Sequence, residues 1–181
     1  MRVIAGSARG VRLGAVPGGT RPLSDRAREG MFSSLGPKVV GARVLDLFAG
    51  TGACGIEALS RGAAEAVFVD SNPAAVKAVR DNLARTNLTD RALVLRRDAR
   101  RALQDDRLGR FDLILLDPPY DIAPDYLDAL LQEIAGGSHV AEAATLIVTR
   151  GNKSYRPVIP LDWRPDRQLS YGDAAVLVFQ A

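Results

Sequence analysis

Histidine and cysteine occur once each, as His139 and Cys54, in a chain of 181 residues. A single cysteine excludes an internal disulfide and suits a reducing compartment. One of each is also too few for a zinc site or a Cys–His catalytic couple, so no metal is expected. No apolar run approaches the roughly 18 residues that a membrane span needs. The opening stretch MRVIAGSARG has no apolar core of signal-peptide length. These absences predict a cytoplasmic protein without a membrane partner. There is no internal repeat, no low-complexity tract and no long linker. What is present, 47% hydrophobic and 25% charged residues, is ordinary globular composition, and the length suits one core.

The net charge of +3 is unevenly placed. Residues 1–43 carry eight Lys/Arg against Asp25 and Glu29, a balance of +6; the remainder carries sixteen against nineteen, a balance of −3. A basic arm on a mildly acidic body points to a polyanionic partner. The exposed-phosphate candidates are Arg2, Arg9, Arg12, Arg21, Arg26 and Arg28. The alternative is a solvated hairpin that grips nothing.

Residues 1–23 are rich in Gly, Arg and Pro with short alternating pieces, which reads as a hairpin or extended arm. Ser24 or Asp25 can cap a helix through Arg26–Leu35, broken by Pro37 and Gly41. Strand and helix then alternate. Strands are expected at Arg43–Phe48, Ala66–Asp70, Ala92–Leu95, Phe111–Leu116 and Thr145–Thr149. Helices are expected at Ala53–Arg61, from Pro73 (capped by Asn72) to Arg85, Ala99–Arg107 and Pro124–Ile134. Two last strands, Arg167–Tyr171 and Ala175–Phe179, flank the turn signal Gly172-Asp173. This order predicts an α/β protein: a mostly parallel seven-stranded sheet, covered on both faces, with a C-terminal antiparallel hairpin. The division expected is a basic extension, 1–41, and a main domain, 42–181. In such sheets ligands sit beyond the carboxyl ends of the strands.

After the first strand comes DLFAGTGACG. Gly50, Gly52 and Gly55 spell G-x-G-x-x-G, and Asp70 ends the second strand twenty residues past Gly50. That is the dinucleotide fingerprint, but Asp46 argues against a nicotinamide cofactor. A carboxylate beside a pyrophosphate is badly placed, whereas it suits an ammonium or a sulfonium. S-adenosylmethionine (SAM) carries both, with a ribose diol for Asp70. In RRDA, Asp98 can meet the adenine amino group and the Ala99 N–H a ring nitrogen. The expected cofactor set is Asp46, Phe48, Gly50, Thr51, Gly52, Asp70, Ser71, Asp98 and Ala99.

The fourth strand ends in Asp117-Pro118-Pro119-Tyr120. An exocyclic amino group on a nucleobase is planar, its lone pair delocalised into the ring. To attack a methyl group it must be held in line, with both N–H groups engaged. The Asp117 carboxylate and a Pro118 carbonyl stiffened by two prolines are the two acceptors. Tyr120 offers a face for the base. The carboxylate also stabilises positive charge developing on nitrogen. No strong base is needed, which explains a site built without histidine or cysteine. Asp117, Pro118 and Tyr120 are therefore the catalytic candidates. Cys54, His139 and Trp163 invite packing or loop readings, with base stacking equally open for Trp163.

DLFAGTG, VDSN, RRDA and DPPY in this order resemble class I SAM-dependent N-methyltransferases. RVIAGSARGVRL, TRPLSDRAREGMFSSL, GIEALSRGA and YGDAAVLVF narrow the resemblance to the bacterial RsmD-type family, over nearly the whole chain. The resemblance implies a Rossmann-like fold, transfer to guanine N2 of 16S ribosomal RNA, the small ribosomal subunit as partner and a monomeric enzyme. It also implies that Arg21–Glu29 approaches the cofactor and target. The chain departs from the family at Arg150, where an acid is frequent, and at Ser24, where threonine is common. DPPY itself is shared with adenine-N6 and glutamine methyltransferases. An adenine-N6 enzyme and a non-catalytic RNA-binding assembly factor are thus the competing readings; neither a target-recognition domain nor a degraded acid set is present to favour them.

Overall fold

A computed structural model describes residues 1–16 and 23–181. Arg21, expected at the nucleic acid, lies outside the described residues. The opening residues fold back on themselves: the Val3 N–H donates to the Val11 carbonyl (3.0 Å) and the Gly10 N–H to the Val3 carbonyl (2.9 Å), flanking an antiparallel bridge between Arg2 and Arg12. Helix α1 spans Asp25–Leu35, and its cap is the expected one, the Ser24 hydroxyl accepting from the Ala27 N–H.

The alternating part follows as β1 (Arg43–Leu47), α2 (Ala53–Ser60), β2 (Glu65–Asp70), α3 (Pro73–Thr86), β3 (Ala92–Arg96), α4 (Ala99–Ala102), β4 (Phe111–Leu116), α5 (Pro124–Gly136) and β5 (Val140–Gly151). The chain closes with β6 (Arg164–Tyr171) and β7 (Ala174–Gln180). The seven strands form one sheet in the order β3-β2-β1-β4-β5-β7-β6. The first five run parallel; β7 lies antiparallel between β5 and β6. Burial explains the insertion: β7 carries the apolar AAVLVF run, whereas β6 is exposed almost throughout and its charged residues suit an edge.

Two elements differ from the sequence pattern. The helix expected at Ala99–Arg107 is a single turn. Its Asp98 cap is sound, but Asp105 leaves the helical conformation (φ −98°, ψ 88°) and caps a separate 3₁₀ turn at Asp106–Leu108. The fifth strand is twelve residues, not five. It starts early, across a register shift between Phe111 and Leu113, with Ala143 at positive φ; this irregularity hides the strand from a period-two reading.

Alternate strand residues feed opposite faces. Val44, Phe68 and Leu115 pack with α1, α2, α3 and the arm residues Val3, Ala8 and Leu13. Leu45, Val69 and Ile114 pack with α5 and with Trp163, which is buried as packing. His139 lies in the turn between α5 and β5, as a loop residue, yet it is buried, with its ring nitrogens 2.7 Å from the Gly109 carbonyl and 2.9 Å from the Leu103 carbonyl. The arm is bolted on by polar groups. Gly6 approaches so closely that a β-carbon there would lie 1.7 Å from the Ser60 carbonyl oxygen. No helix among the described residues is long and apolar enough to cross a membrane.

Candidate active site

Strand order reverses between β1 and β4, and a cavity of about 620 Å³ opens beyond the carboxyl ends of β1 to β4. The loop after β1 makes its floor. The Asp46 Oδ2 accepts the Gly55 N–H (2.9 Å), which draws the start of α2 onto the strand end. Gly55 has to be glycine, because a β-carbon would lie 2.3 Å from the Phe68 ring. The Ala49 N–H donates to the Val69 carbonyl (3.0 Å) and the Gly50 N–H to Asp70 Oδ2 (2.9 Å). Held at both points, Phe48 adopts φ 63°, a conformation that a bulky side chain rarely takes. Strain of this kind persists where surrounding structure over-determines it, frequently at ligand sites, and Phe48 lines the cavity.

The cavity wall carries five carboxylates, Asp46, Asp70, Asp98, Asp117 and Asp121, and no Lys, Arg or His among the described residues. Four of them, all but Asp121, are locally anchored. Asp70 Oδ1 caps the Asn72 N–H (2.8 Å). Asp98 accepts from the Arg100 N–H (3.0 Å) and, through Oδ2, from the Tyr126 hydroxyl (2.7 Å). Burial and this bond push the Tyr126 hydroxyl up to about 12. Asp117 receives the Thr149 hydroxyl from β5. No group of three or more His, Cys, Asp or Glu among the described residues could hold a metal ion.

Asp46 is the most perturbed of these acids. Burial first, then the neighbouring Asp117 and Asp70 charges, push it up to about 8, although the Gly55 N–H acts the other way. It is therefore mostly protonated at neutral pH. Its folded value lies above the ordinary 3.8, so this group's contribution to stability falls as pH rises from about 4 to about 8. A cation entering the cavity lowers that value again. Binding of SAM at pH 7 is expected to release protons, seen in calorimetry as a heat that varies with the ionisation enthalpy of the buffer. Asp46→Asn should remove most of that variation; an unchanged variation would take Asp46 out of the cation site.

Of the expected cofactor set, Asp46, Phe48, Gly50, Thr51, Asp70, Ser71 and Asp98 line the cavity. Gly52 and Ala99 do not: Gly52 starts α2 and packs toward Ile56 and Val79, and Ala99 is buried in the core under α5. Cys54 also lines the cavity, and burial pushes its thiol up, away from the reactive thiolate. In the fourth loop Asp117 and Pro119 line the cavity, while Tyr120 stands 54% exposed at its side, its ring near Gly151. Arg150 donates to the Pro119 and Tyr120 carbonyls (3.0 and 3.1 Å), and the Pro118 carbonyl accepts no hydrogen bond among the described residues.

The basic residues divide. Arg2, Arg9, Arg12 and Arg26 are exposed. Arg28 is not, and its place among the phosphate contacts is corrected: it is fully buried, donating to the Arg2 carbonyl and to Asp25, with Nε 3.8 Å from Glu57. Glu57 and Asn82 are the groups that sequence reasoning missed. Glu57 accepts the Ile4 and Ala5 N–H groups of the arm (2.8 and 3.1 Å). Asn82 joins Gly14 of the arm to the Thr51 carbonyl of the glycine loop (2.7 and 2.9 Å). The only available signal was a polar residue on an otherwise apolar helix stripe.

A doubly wound sheet with an acidic cavity at its switch point and an Asp-Pro-Pro-Tyr turn beside it defines a Rossmann-like class I SAM-dependent methyltransferase. Residues 1–180 match the model of the family described as "Conserved hypothetical protein 95", and the chain belongs to that family, the RsmD type. It is 40% identical over 183 residues to YlbH of Bacillus subtilis (99% of this chain, 98% of that one), whose name assigns it provisionally to the rRNA methyltransferases. Ribosomal RNA small subunit methyltransferase D of Escherichia coli is 32% identical over 182 residues, covering 99% and 89%. Among solved structures, yhhF of Escherichia coli, titled as a candidate methyltransferase, superposes with a TM-score of 0.86 at 33% identity, covering 99% and 97%.

Proposed function

We propose that the protein methylates the exocyclic N2 of a guanine in 16S ribosomal RNA, with SAM as donor and the small ribosomal subunit as substrate, acting as a monomer in the cytoplasm. The observation that carries the cofactor is the cavity wall: five aspartates with no cation beside them among the described residues suit a ligand with sulfonium and ammonium groups and repel a pyrophosphate. Bound there, SAM supplies an electrophilic methyl group. Asp46 and Asp70 would hold its positive and hydroxyl groups, with the Phe48–Thr51 loop beside it. The ribosomal substrate rests on the names of the relatives that align along the whole chain.

The chemistry of the target falls to the fourth loop. Asp117 and the free Pro118 carbonyl each accept one N–H of the amino group, which turns its lone pair toward the methyl. Positive charge developing on nitrogen is met by the carboxylate. The methylated nitrogen is acidic and yields its extra proton afterwards. Tyr120, exposed beside the cavity, gives the splayed base a face. Methylation of small-subunit particles from a strain lacking this protein, with mapping of the modified nucleotide, tests the whole reading. Label in an adenine, or none with SAM bound, would overturn it.

The extension of residues 1–41 is read as the RNA grip on the domain of residues 42–181. Exchanging Arg9 and Arg12 together for Gln is expected to weaken particle binding without base preference. Each lost phosphate contact should flatten the log K against log salt slope by about 0.7–0.9. SAM affinity should stay as it was. A slope and affinity equal to those of the unaltered protein would mean that these arginines merely face water.

A further inference from the structure

Arg150 ends β5 beside the Asp117–Tyr120 turn and is 2% exposed. Burial of a guanidinium is costly, and an apolar side chain would pack a strand end with less penalty. Among the described residues its three hydrogen bonds all go to main-chain carbonyls: Nη1 to Pro119 (3.0 Å), Nη2 to Tyr120 (3.1 Å) and Nε to Tyr155 (3.2 Å). Two successive carbonyls of one turn and a third from the segment after β5 are thus fixed by a single planar fork, a geometry that only arginine offers. The segment after β5 is held a second time, by the Tyr155 hydroxyl and the Val158 N–H on Asp128. Tyr120 rests against the same strand end: a β-carbon on Gly151 would lie 3.5 Å from its ring.

Charge gives the residue a second consequence. Asp117 is faced by Thr149 and Arg150 from β5, by Asp46 from β1 and by Cys54 from α2, and Asp121 of its own turn lines the same cavity. Arg150 is the cation of this set. Burial pushes the Asp117 carboxyl up, and the Thr149 hydroxyl and the Arg150 charge pull it back.

We propose that Arg150 is a positioning residue for methyl transfer: it holds the Asp117–Tyr120 turn so that the carboxylate and the Pro118 carbonyl form a pair of acceptors, with the guanidinium charge kept near that carboxylate. The proposal rests on the reading of Asp117 as an acceptor for the target amino group. A protonated Asp117 would present a hydroxyl donor where an N–H must be received, so loss of the Arg150 charge should appear as a shifted pH dependence and not merely as a weaker protein.

The test is single-turnover methylation of small-subunit particles across about pH 5 to 9. With Arg150→Gln the acid limb of the rate is expected to move up by about 0.5 unit or more, with SAM affinity unchanged. With Arg150→Lys the limb should stay in place while the rate falls roughly tenfold at every pH, because one ammonium cannot span three carbonyls. An unmoved limb in Arg150→Gln overturns the proposal, as does a normal rate in Arg150→Lys, which also decides the matter if the Gln variant does not fold. Asp117→Asn separates the two readings. Normal turnover in that variant would sink the role of Asp117 itself; an inactive Asp117→Asn beside unaffected Arg150 variants would sink only the proposal made for Arg150.

Discussion

Asp117→Ala is expected to keep the fold and most of the SAM affinity while losing roughly 10²-fold or more in single-turnover methylation, the scale for an acceptor used chiefly in the transition state. The side chain stands at the end of β4, half-buried, with its Oδ1 taking the Thr149 hydroxyl. That bond leaves the second oxygen for the target amino group. It also orients the carboxylate before substrate arrives, so that no reorganisation is needed during transfer. The floor of the cavity is built by Asp46, Asp70 and the glycine loop, none of which hydrogen-bonds Asp117. Cofactor affinity and transfer should therefore separate in this variant. A single-turnover rate within about threefold of the unaltered protein would rule out the acceptor role.

The largest effect on stability is expected at Glu57. Both of its oxygens are fully used: Oε2 accepts the Ile4 N–H, and Oε1 accepts the Ala5 N–H and Arg61 Nε (2.7 Å). Arg28 lies 3.8 Å away, with its Nε buried and otherwise unpartnered among the described residues. Glu57→Ala would leave that buried guanidinium with Asp25 alone as counter-charge and two main-chain donors of the arm orphaned. Removal of one partner from a buried ion pair costs about 3–5 kcal/mol. Denaturant unfolding measures the loss, and limited proteolysis should show the first residues released from α2. A loss below about 1 kcal/mol would show that water or a shift of the arm replaces the carboxylate.

These two residues differ in how visible they were. Asp117 is legible because its signal is local: an apolar strand stops at an acid followed by two prolines, and strand ends are where this architecture places ligands. The same holds for the glycine loop and for Asp46, Asp70 and Asp98, each within a residue or two of a strand end. The family motifs reinforced that reading at the same positions. Glu57 sits inside GIEALSRGA, where its one local mark, a polar residue on an apolar stripe, names no partner. Its partners are 53 and 52 residues away. Arg28 misled for the mirror-image reason: it belongs to a run of arginines that look alike in sequence, yet one of them is enclosed.

By itself, then, the sequence determined the order of strands and helices, the parallel character of the sheet and the acids at its carboxyl edge. Those features follow from hydrophobic period, caps and turns that act over a few residues. Tertiary structure alone decided that β7 enters between β5 and β6, that Arg28 faces Glu57 rather than solvent, and that Asn82 ties the arm to the glycine loop. It also decided that Arg150 turns inward onto the turn after Asp117. For β7 the reason is its apolar run, which the sheet must cover on both sides; for the three polar residues it is shared. A polar group is buried only when a partner from elsewhere in the chain satisfies it, and that partner is chosen by the packing of whole elements, not by the residues next to it.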